Sequence, residues 1–152
     1  MNKLLNMSIV LKLGLTNNNN QKIKEVSSFD VIANKGVIGD RHFKDYNDPY
    51  CQLSLIESEN IDFYNTKYGL NISYIEFRRN IVTKGVELNN LVGKKFYIGN
   101  VEVEGIDLCR PCRHLNESLN QENIIKEFLR KGGLRCKILS SASIYVNDLI
   151  KI

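Results

Sequence analysis

Residues 96–106, with the sequence FYIGNVEVEGI, predict a β-hairpin, and this hairpin decides the fold class. Gly99 and Asn100 form a two-residue turn that tolerates positive φ angles. Residues 101–106, beyond the turn, form the second strand of this predicted hairpin. Further short strand-like segments occur at residues 8–13, 29–33, 50–55, 80–83, 136–139 and 143–146. Many short strands at this spacing predict a mainly antiparallel barrel or sandwich.

Two helices are expected between these strands. The first begins at a capping box formed by Ser54 and Glu57 and ends at Gly69. Its apolar face consists of Ile61, Tyr64 and Tyr68. The second follows a capping box at residues 118–121 and ends at residues 132–133, with an apolar face of Ile124, Ile125, Phe128 and Leu129. The predicted fold class is therefore mainly β, a β-rich α+β barrel with about two capping helices.

Size and composition favour one domain, spanning residues 1–152. The net charge of +4 is small and scattered, which argues against a nucleic-acid partner. No signal peptide is visible, and no apolar run approaches the ~18–20 residues of a membrane span. We therefore expect a cytoplasmic protein, in which paired cysteines are more often catalytic, redox-active or metal-binding than disulfide-bonded. Cys51 and Cys136 stand among apolar residues and are expected in the core.

Residues 108–115, LCRPCRHL, place two thiols among fixed positive charges. A free thiol has a pKa of about 8.5, and a fall to about 7 would raise its thiolate share at neutral pH to roughly half. Arg110 and Arg113 supply the charge that favours such a fall. The segment therefore predicts a reactive sulfur at Cys109 or Cys112. The alternative is an ordinary buried cysteine in a strand.

The same segment allows a zinc site or a redox pair. Cys109, Cys112 and His114 would give three zinc ligands, although their spacing fits the usual half-sites poorly. A distant fourth ligand would come from Cys51, Cys136 or His42. A thioredoxin-like pair is disfavoured by Pro111 and by the preceding strand. A small zinc-stabilised or redox CxxC interaction module stays the alternative function.

Three other segments carry polar groups suited to an anion. Residues 36–42, GVIGDRH, combine a glycine turn with an acceptor, a bidentate anion donor and a titratable group at Asp40, Arg41 and His42. Arg79 and Asn80 precede a short strand, and Arg135 follows the glycine pair at residues 132–133. Each segment alone is also typical of a solvated turn, a strand end or a helix end.

Taken in order along the chain, these signatures resemble the MOSC family, the domain named for the C-terminal part of molybdenum-cofactor sulfurases. The resemblance rests on G-x-x-G-D-R-H, QLSLI before a helix, RNIV with a glycine five residues beyond the asparagine, a glycine-marked hairpin, Pro-Cys, GGLR and a closing I-x-V-x-D. It extends from about residue 8 to residue 150. It implies a β-barrel similar to the barrel domain of pyruvate kinase.

The resemblance also implies a cofactor and its ligands. The family binds molybdenum cofactor (molybdopterin), transiently or stably, or carries sulfur as a persulfide. Cys112 matches the family cysteine that follows a proline, and is expected to be the catalytic thiol and the molybdenum ligand. The residues expected to bind the cofactor are Asp40, Arg41, His42, Arg79, Asn80, Arg113 and Arg135. Cys109 lies outside the family pattern and either resolves a persulfide on Cys112 or is incidental.

Two roles follow from the resemblance, and both stay open. One is a molybdenum-dependent oxidoreductase that reduces N-hydroxylated compounds with electrons from a separate protein. The other is a sulfur transferase or carrier that serves molybdenum-cofactor biosynthesis or an acceptor enzyme. We expect neither nucleic acid nor membrane as a partner. Pyridoxal phosphate belongs to the desulfurase domain of longer relatives, and we expect no such domain in this chain.

Overall fold

The computed structural model describes residues 7–111 and 113–152, with the side chains of all of these except residues 113 and 114. The strands in this part are β1 (Ile9–Leu15), β2 (Lys24–Val26), β3 (Ser28–Ile32), β4 (Gly36–Val37), β5 (Leu53–Glu57), β6 (Ile81–Lys84), β7 (Lys95–Ile98), β8 (Val101–Leu108), β9 (Leu134–Ile138), β10 (Ala142–Tyr145) and β11 (Ile150–Lys151). The helices are α1 (Ser58–Tyr68), α2 (Arg113–Leu119) and α3 (Ile124–Glu127), with 3-10 turns at Tyr74–Phe77 and Leu88–Leu91.

Eight of these strands form one curled sheet in the order β11-β7-β8-β9-β5-β6-β1-β2. All its pairs are antiparallel except β5 and β6, which run parallel and are connected through α1. The curl brings β1 back to the chain beside β11, where Ile9 forms a bridge with Leu149 and the Ile150 N–H donates to the Ser8 carbonyl at 2.8 Å. This closure covers strand edges that would otherwise be exposed. The predicted β-rich barrel class is confirmed.

The hairpin at residues 96–106 is confirmed as β7 and β8. Ile98 pairs with Val101 across the turn, where Gly99 has a φ of 56°. Phe96, Ile98, Val101 and Val103 are buried, whereas the residues between them are not. One face of this hairpin therefore lies in the barrel core.

A second, smaller core lies between α1, the Tyr74–Phe77 turn and α3. The Phe77 and Phe128 rings lie 5.0 Å apart, and the Tyr64 and Phe128 rings 5.4 Å apart, measured between centroids. Ile61 is also fully buried there. These contacts hold the helices against the outside of β5 and β6. None of the helices in the described part of the chain is both long and apolar enough to span a bilayer.

The predicted start of the first helix is wrong. Ser54 and Glu57 lie in β5, because residues 53–57 pair with β9 on one side and β6 on the other. The helix begins at Ser58 instead. Its predicted end is confirmed, since Gly69 adopts a left-handed conformation with a φ of 63° and its N–H caps the last turn.

The predicted second helix is divided into two. Ser118 lies inside α2 rather than at an N-terminus, and Asn120, with a φ of 52°, ends that helix. The following α3 has only four residues. Ile124 and Phe128 are buried as expected, but Ile125 and Leu129 are exposed, because a helix this short buries only part of the predicted apolar face.

Residues 132–133 are glycines because two backbone segments cross them at close range. A Cβ on Gly132 would lie 2.6 Å from the Cys109 carbonyl oxygen. A Cβ on Gly133, where φ is +112°, would meet the Leu55 carbonyl oxygen and lie 3.0 Å from its carbon. The Gly133 carbonyl in turn accepts the Cys109 N–H at 2.8 Å. The pair therefore joins β5, β9 and the chain after β8.

We expect Gly133→Ala to lower the free energy of unfolding by more than the ~1–3 kcal/mol that positive-φ strain alone costs, because a backbone contact adds to the strain. Gly69→Ala is the matched control: its φ is also positive, but a Cβ there meets nothing within 4 Å. Urea unfolding of both variants measures the difference. Equal losses in the two variants would contradict the close approach to Leu55.

Candidate functional site

A cavity of about 160 Å³ opens at the end of the barrel where β5, β6 and β9 begin and β8 ends. Because these strands are neighbours in the sheet, segments far apart in sequence meet there. The cavity is lined by Arg41, His42, Tyr50, Cys51, Leu53, Ser54, Arg78, Arg79, Asn80, Cys109, Arg110 and Arg135. An adjoining cavity of about 420 Å³ shares Arg41, His42, Arg78 and Arg79 with it and adds Asn19, Asn20 and Leu115.

The first cavity is strongly cationic. Five arginines and one histidine line it, and none of its lining residues in the described part of the chain carries a carboxylate. Burial lowers the pKa of Arg41, and the neighbouring charges of Arg78 and Arg79 lower it further, against the opposing effect of Asp40. Repulsion of this kind is relieved by a bound anion, and guanidinium groups match the geometry of phosphate and carboxylate.

Backbone carbonyl groups hold several of these guanidiniums in place. Arg79 donates through Nε to the Gly132 carbonyl at 3.0 Å, and Arg135 donates to the Tyr50 carbonyl at 3.2 Å. Arg78 donates to the carbonyls of Gln21, at 2.8 Å, and Asn19, at 3.1 Å. A carbonyl oxygen orients a guanidinium without cancelling its charge. The cavity therefore keeps its positive charge while its side chains are fixed.

Asp40 lies behind the cavity wall and organises the turn that carries Arg41 and His42. Its side chain is 1% exposed. One carboxylate oxygen accepts hydrogen bonds from the backbone N–H of Thr16, at 3.2 Å, and from the guanidinium of Arg41, at 3.3 Å. The other accepts the backbone N–H of His42 at 3.2 Å. Asp40 thus contacts two of the predicted cofactor-binding residues but does not itself line either cavity.

Asn80 lines the cavity, and its amide group connects three segments of chain. Its Oδ1 accepts the Ser54 N–H at 3.1 Å, and its Nδ2 donates to the Gly14 carbonyl at 3.3 Å. The Asn80 N–H donates in turn to the Ser54 hydroxyl at 3.1 Å. These bonds tie the start of β5 to β1 and to the segment before β6.

His42 lines both cavities, in surroundings that disfavour its charged form. Burial lowers its pKa below the ordinary 6.5, and the charges of Arg41, Lys44 and Arg135 lower it further, while Asp40 raises it. Its Nδ1 lies 3.7 Å from the Asp40 carboxylate. A bound anion would oppose this depression, because negative charge favours the imidazolium.

Two cysteines are among the residues that line the cavity. Cys109 is buried, with 4% of its surface exposed. Cys51 is half-buried, so the expectation that it belongs to the core is wrong. Burial raises the pKa of Cys51, and a hydrogen bond to the Asp48 side chain raises it further. Cys136 lies in the barrel core, as expected.

The predicted thiol Cys112 lies outside the described residues, as do the side chains of Arg113 and His114. The chain on either side of them borders the cavities: Cys109 and Arg110 line the first, and Leu115 lines the second. Among the side chains that the structure describes, no cluster of three histidine, cysteine, aspartate or glutamate residues is placed to hold a metal ion.

The sequence pointed to five of the residues that line the first cavity as cofactor-binding: Arg41, His42, Arg79, Asn80 and Arg135. It did not assign Arg78 or Tyr50 to the site, and it named Cys51 only as a core residue or a distant zinc ligand. Arg78 was indistinguishable from a solvated arginine in the sequence, because its position depends on loop carbonyls 57 and 59 residues away. Tyr50 and Cys51 precede β5 in a segment that reads as part of a strand.

Comparison with known proteins gives a family and a set of similar structures. The family model for the MOSC domain matches residues 39–151. The YuaD protein from Bacillus subtilis has a similar structure, with a TM-score of 0.81 and 17% identity over 95% of this chain and 94% of that chain. YiiM from Geobacillus stearothermophilus is also similar, with a TM-score of 0.69 and 15% identity over 96% of this chain and 73% of that one.

YiiM from Escherichia coli has the same TM-score, 0.69, with 16% identity over 94% of this chain and 68% of its own. A comparison with curated protein sequences gives no match. Structures with identities this low show only that the fold is shared. The family model shows more, because it matches the chain from the Gly39-Asp40-Arg41-His42 turn to the last strand. The chain therefore belongs to the MOSC domain family.

Proposed function

We propose that this protein binds molybdenum cofactor, with Cys112 as the thiolate ligand and the cationic cavity as the seat of the cofactor's phosphate. The observation that carries the proposal is the set of five arginines around one cavity, with no carboxylate among its described lining residues. Such a cavity favours a compact, highly charged anion over a neutral or cationic ligand.

The donor set fits a phosphorylated pterin. Guanidinium groups offer paired N–H donors to phosphate oxygens, and those of Arg79 and Arg135 are already oriented by backbone carbonyls. The adjoining cavity of about 420 Å³ lies within the range of roughly 300–1,000 Å³ that small-molecule sites occupy. It places Asn19 and Asn20, whose amides donate and accept hydrogen bonds, next to the cationic groups.

The residues of this chain would orient the ligand rather than react with it. Arg41, held by Asp40, and Arg79 and Arg135, held by carbonyls, fix the phosphate. His42 takes up a proton when negative charge arrives beside it. The bound cofactor would supply molybdenum, which supports the reduction of N–O bonds.

Sulfur carriage on Cys112 is the second candidate, and the five arginines of the neighbouring cavity support it. A persulfide is a soft, anionic group that suits cationic surroundings and thiol neighbours. As an oxidoreductase the protein would need a separate electron donor. As a carrier it would deliver sulfur or cofactor to an acceptor or biosynthetic enzyme. Either role fits the cytoplasm, where thiols stay reduced.

Arg135→Gln is expected to weaken the binding of inorganic phosphate about 10- to 100-fold, because a hydrogen bond to a charged group contributes roughly 1.5–3 kcal/mol. Lys137→Gln is the matched control: Lys137 is a basic, half-buried residue of the same strand that does not line either cavity. Isothermal titration calorimetry measures both. Equal weakening in the two variants would show that net charge, not the cavity, determines binding.

The affinity for sulfate should rise as the pH falls from about 7.5 to about 5.5, a range around the ordinary pKa of histidine over which sulfate keeps its charge. The pKa of His42 is lowered in the free protein and would be raised beside the anion. At a pH between the free and the bound pKa, binding of the anion is therefore accompanied by uptake of a proton. His42→Gln should flatten the dependence. An unchanged slope in that variant would assign the proton to another group.

Cys112→Ser should abolish the loading of molybdenum and of added sulfur while leaving the fold intact. Cys51→Ser, which also removes a thiol, is expected to keep the loading and serves as the control. The measurement is elemental analysis together with intact mass, on protein purified from a host that makes the cofactor. Molybdenum with pterin would favour the cofactor role, and added sulfur without molybdenum the carrier role. Stoichiometric zinc in place of both would support the zinc-stabilised module instead.

A further inference from the structure

A third cavity, which the proposed function does not use, adjoins the cationic one. Its volume is about 210 Å³, and it is lined by Tyr50, Asp107, Leu108, Arg110 and Arg135. Tyr50, Arg110 and Arg135 also line the first cavity. A ligand bound to the arginines of the first cavity can therefore extend past these three residues into the third.

Two charged side chains of the third cavity face each other across the sheet without pairing. Asp107 of β8 lies directly opposite Arg135 of β9, so the two residues share a face. Neighbours of opposite charge in this position attract each other. Nevertheless, although both side chains are described, no nitrogen of Arg135 lies within 4.0 Å of a carboxylate oxygen of Asp107.

Backbone groups hold these two side chains instead. Arg135 donates through Nη1 to the Tyr50 carbonyl at 3.2 Å, and Asp107 accepts the Leu108 N–H at 2.8 Å. The register of β8 shifts immediately before Asp107, at an irregularity of the kind that turns a side chain toward a binding site. Asp107 is exposed. A guanidinium and a carboxylate therefore stand available on two sides of one opening.

Tyr50 supplies an aromatic surface at the same opening. Its exposed fraction is 54%, and a tyrosine exposes so large a share only through its ring. The contact with Arg135 uses the Tyr50 backbone carbonyl, so the ring takes no part in it. An exposed aromatic ring beside cationic groups is a surface on which a nucleobase stacks.

We propose that the third cavity binds the nucleoside of a nucleotide whose phosphate groups occupy the cationic cavity. Arg135 binds the phosphates, Asp107 accepts hydrogen bonds from the ribose hydroxyls, and the base stacks on Tyr50. This sequence of contacts matches the nucleotide itself, in which the ribose lies between the phosphate and the base. The inference rests on the proposed function for the phosphate seat and deepens it, because the bound phosphate is then joined to a nucleotide.

The test compares ADP with inorganic pyrophosphate, which carries two phosphates without a nucleoside. Asp107→Ala should weaken the binding of ADP several-fold and leave that of pyrophosphate unchanged or stronger, because it removes a negative charge beside an anion site. Glu104→Ala is the matched control: it removes a carboxylate from the same strand, and Glu104 lines none of the three cavities. Isothermal titration calorimetry measures each affinity. Strengthening of both ligands by Asp107→Ala would reduce its role to net charge and overturn the ribose contact.

The stacking contact is tested separately. Tyr50→Leu should weaken ADP binding by roughly 10-fold, the size of effect that loss of one stacked base produces. Tyr50→Phe, which keeps the ring, should retain the affinity. Neither variant should change pyrophosphate binding, because the Tyr50 carbonyl still holds Arg135.

The outcomes separate this inference from the proposed function. If pyrophosphate binds and neither Asp107→Ala nor Tyr50→Leu weakens ADP, the nucleoside subsite is overturned and the phosphate seat stands. If ADP binds through Tyr50 and Asp107 while pyrophosphate does not bind, the subsite stands and the phosphate seat is overturned. Binding of neither ligand overturns both.

Discussion

The crossing of residues 132–133 over two other backbone segments is the constraint on which the site depends. Gly133 lies against the Leu55 carbonyl of β5, and Gly132 against the Cys109 carbonyl after β8. The Gly132 carbonyl also accepts the Arg79 guanidinium at 3.0 Å. One dipeptide therefore sets the spacing of β5, β9 and the cysteine segment and orients a cationic group. Larger residues at positions 132 and 133 would push these segments apart and disrupt the cavity that they form.

Positive charge accumulates in the cavity because the fold supplies oriented carbonyls where an ordinary surface would supply carboxylates. Arg78, Arg79 and Arg135 all donate to main-chain oxygens. The exception, Asp40, is buried behind the wall, where it holds Arg41 and the backbone of His42. Repulsion among the guanidinium groups lowers the stability of the folded protein, and a bound anion offsets this loss. Strain of this kind is typical of binding sites rather than of structural ion pairs.

The strand pattern and the hairpin could be predicted from local sequence, because alternation and a Gly-Asn turn act over a few residues. The start of α1 could not, since the capping-box spacing of Ser54 and Glu57 also fits a strand paired on both sides. In the turn at residues 36–42, the residue types alone were enough to predict Arg41 and His42 as binding residues. Arg78 and Cys51 became part of the site only through tertiary contacts, which no local pattern encodes.

The parallel pairing of β5 with β6, and the antiparallel pairing of β5 with β9, have a consequence for the order of events in the cell. Leu53 of β5 pairs with Cys136, so the cavity walls come from opposite halves of the chain. Contacts of such long range slow folding, because the long intervening chain must be ordered before they form. During synthesis, the walls cannot meet before β9 has left the ribosome, so a ligand that needs both can be captured only after residues 134–138 have been translated.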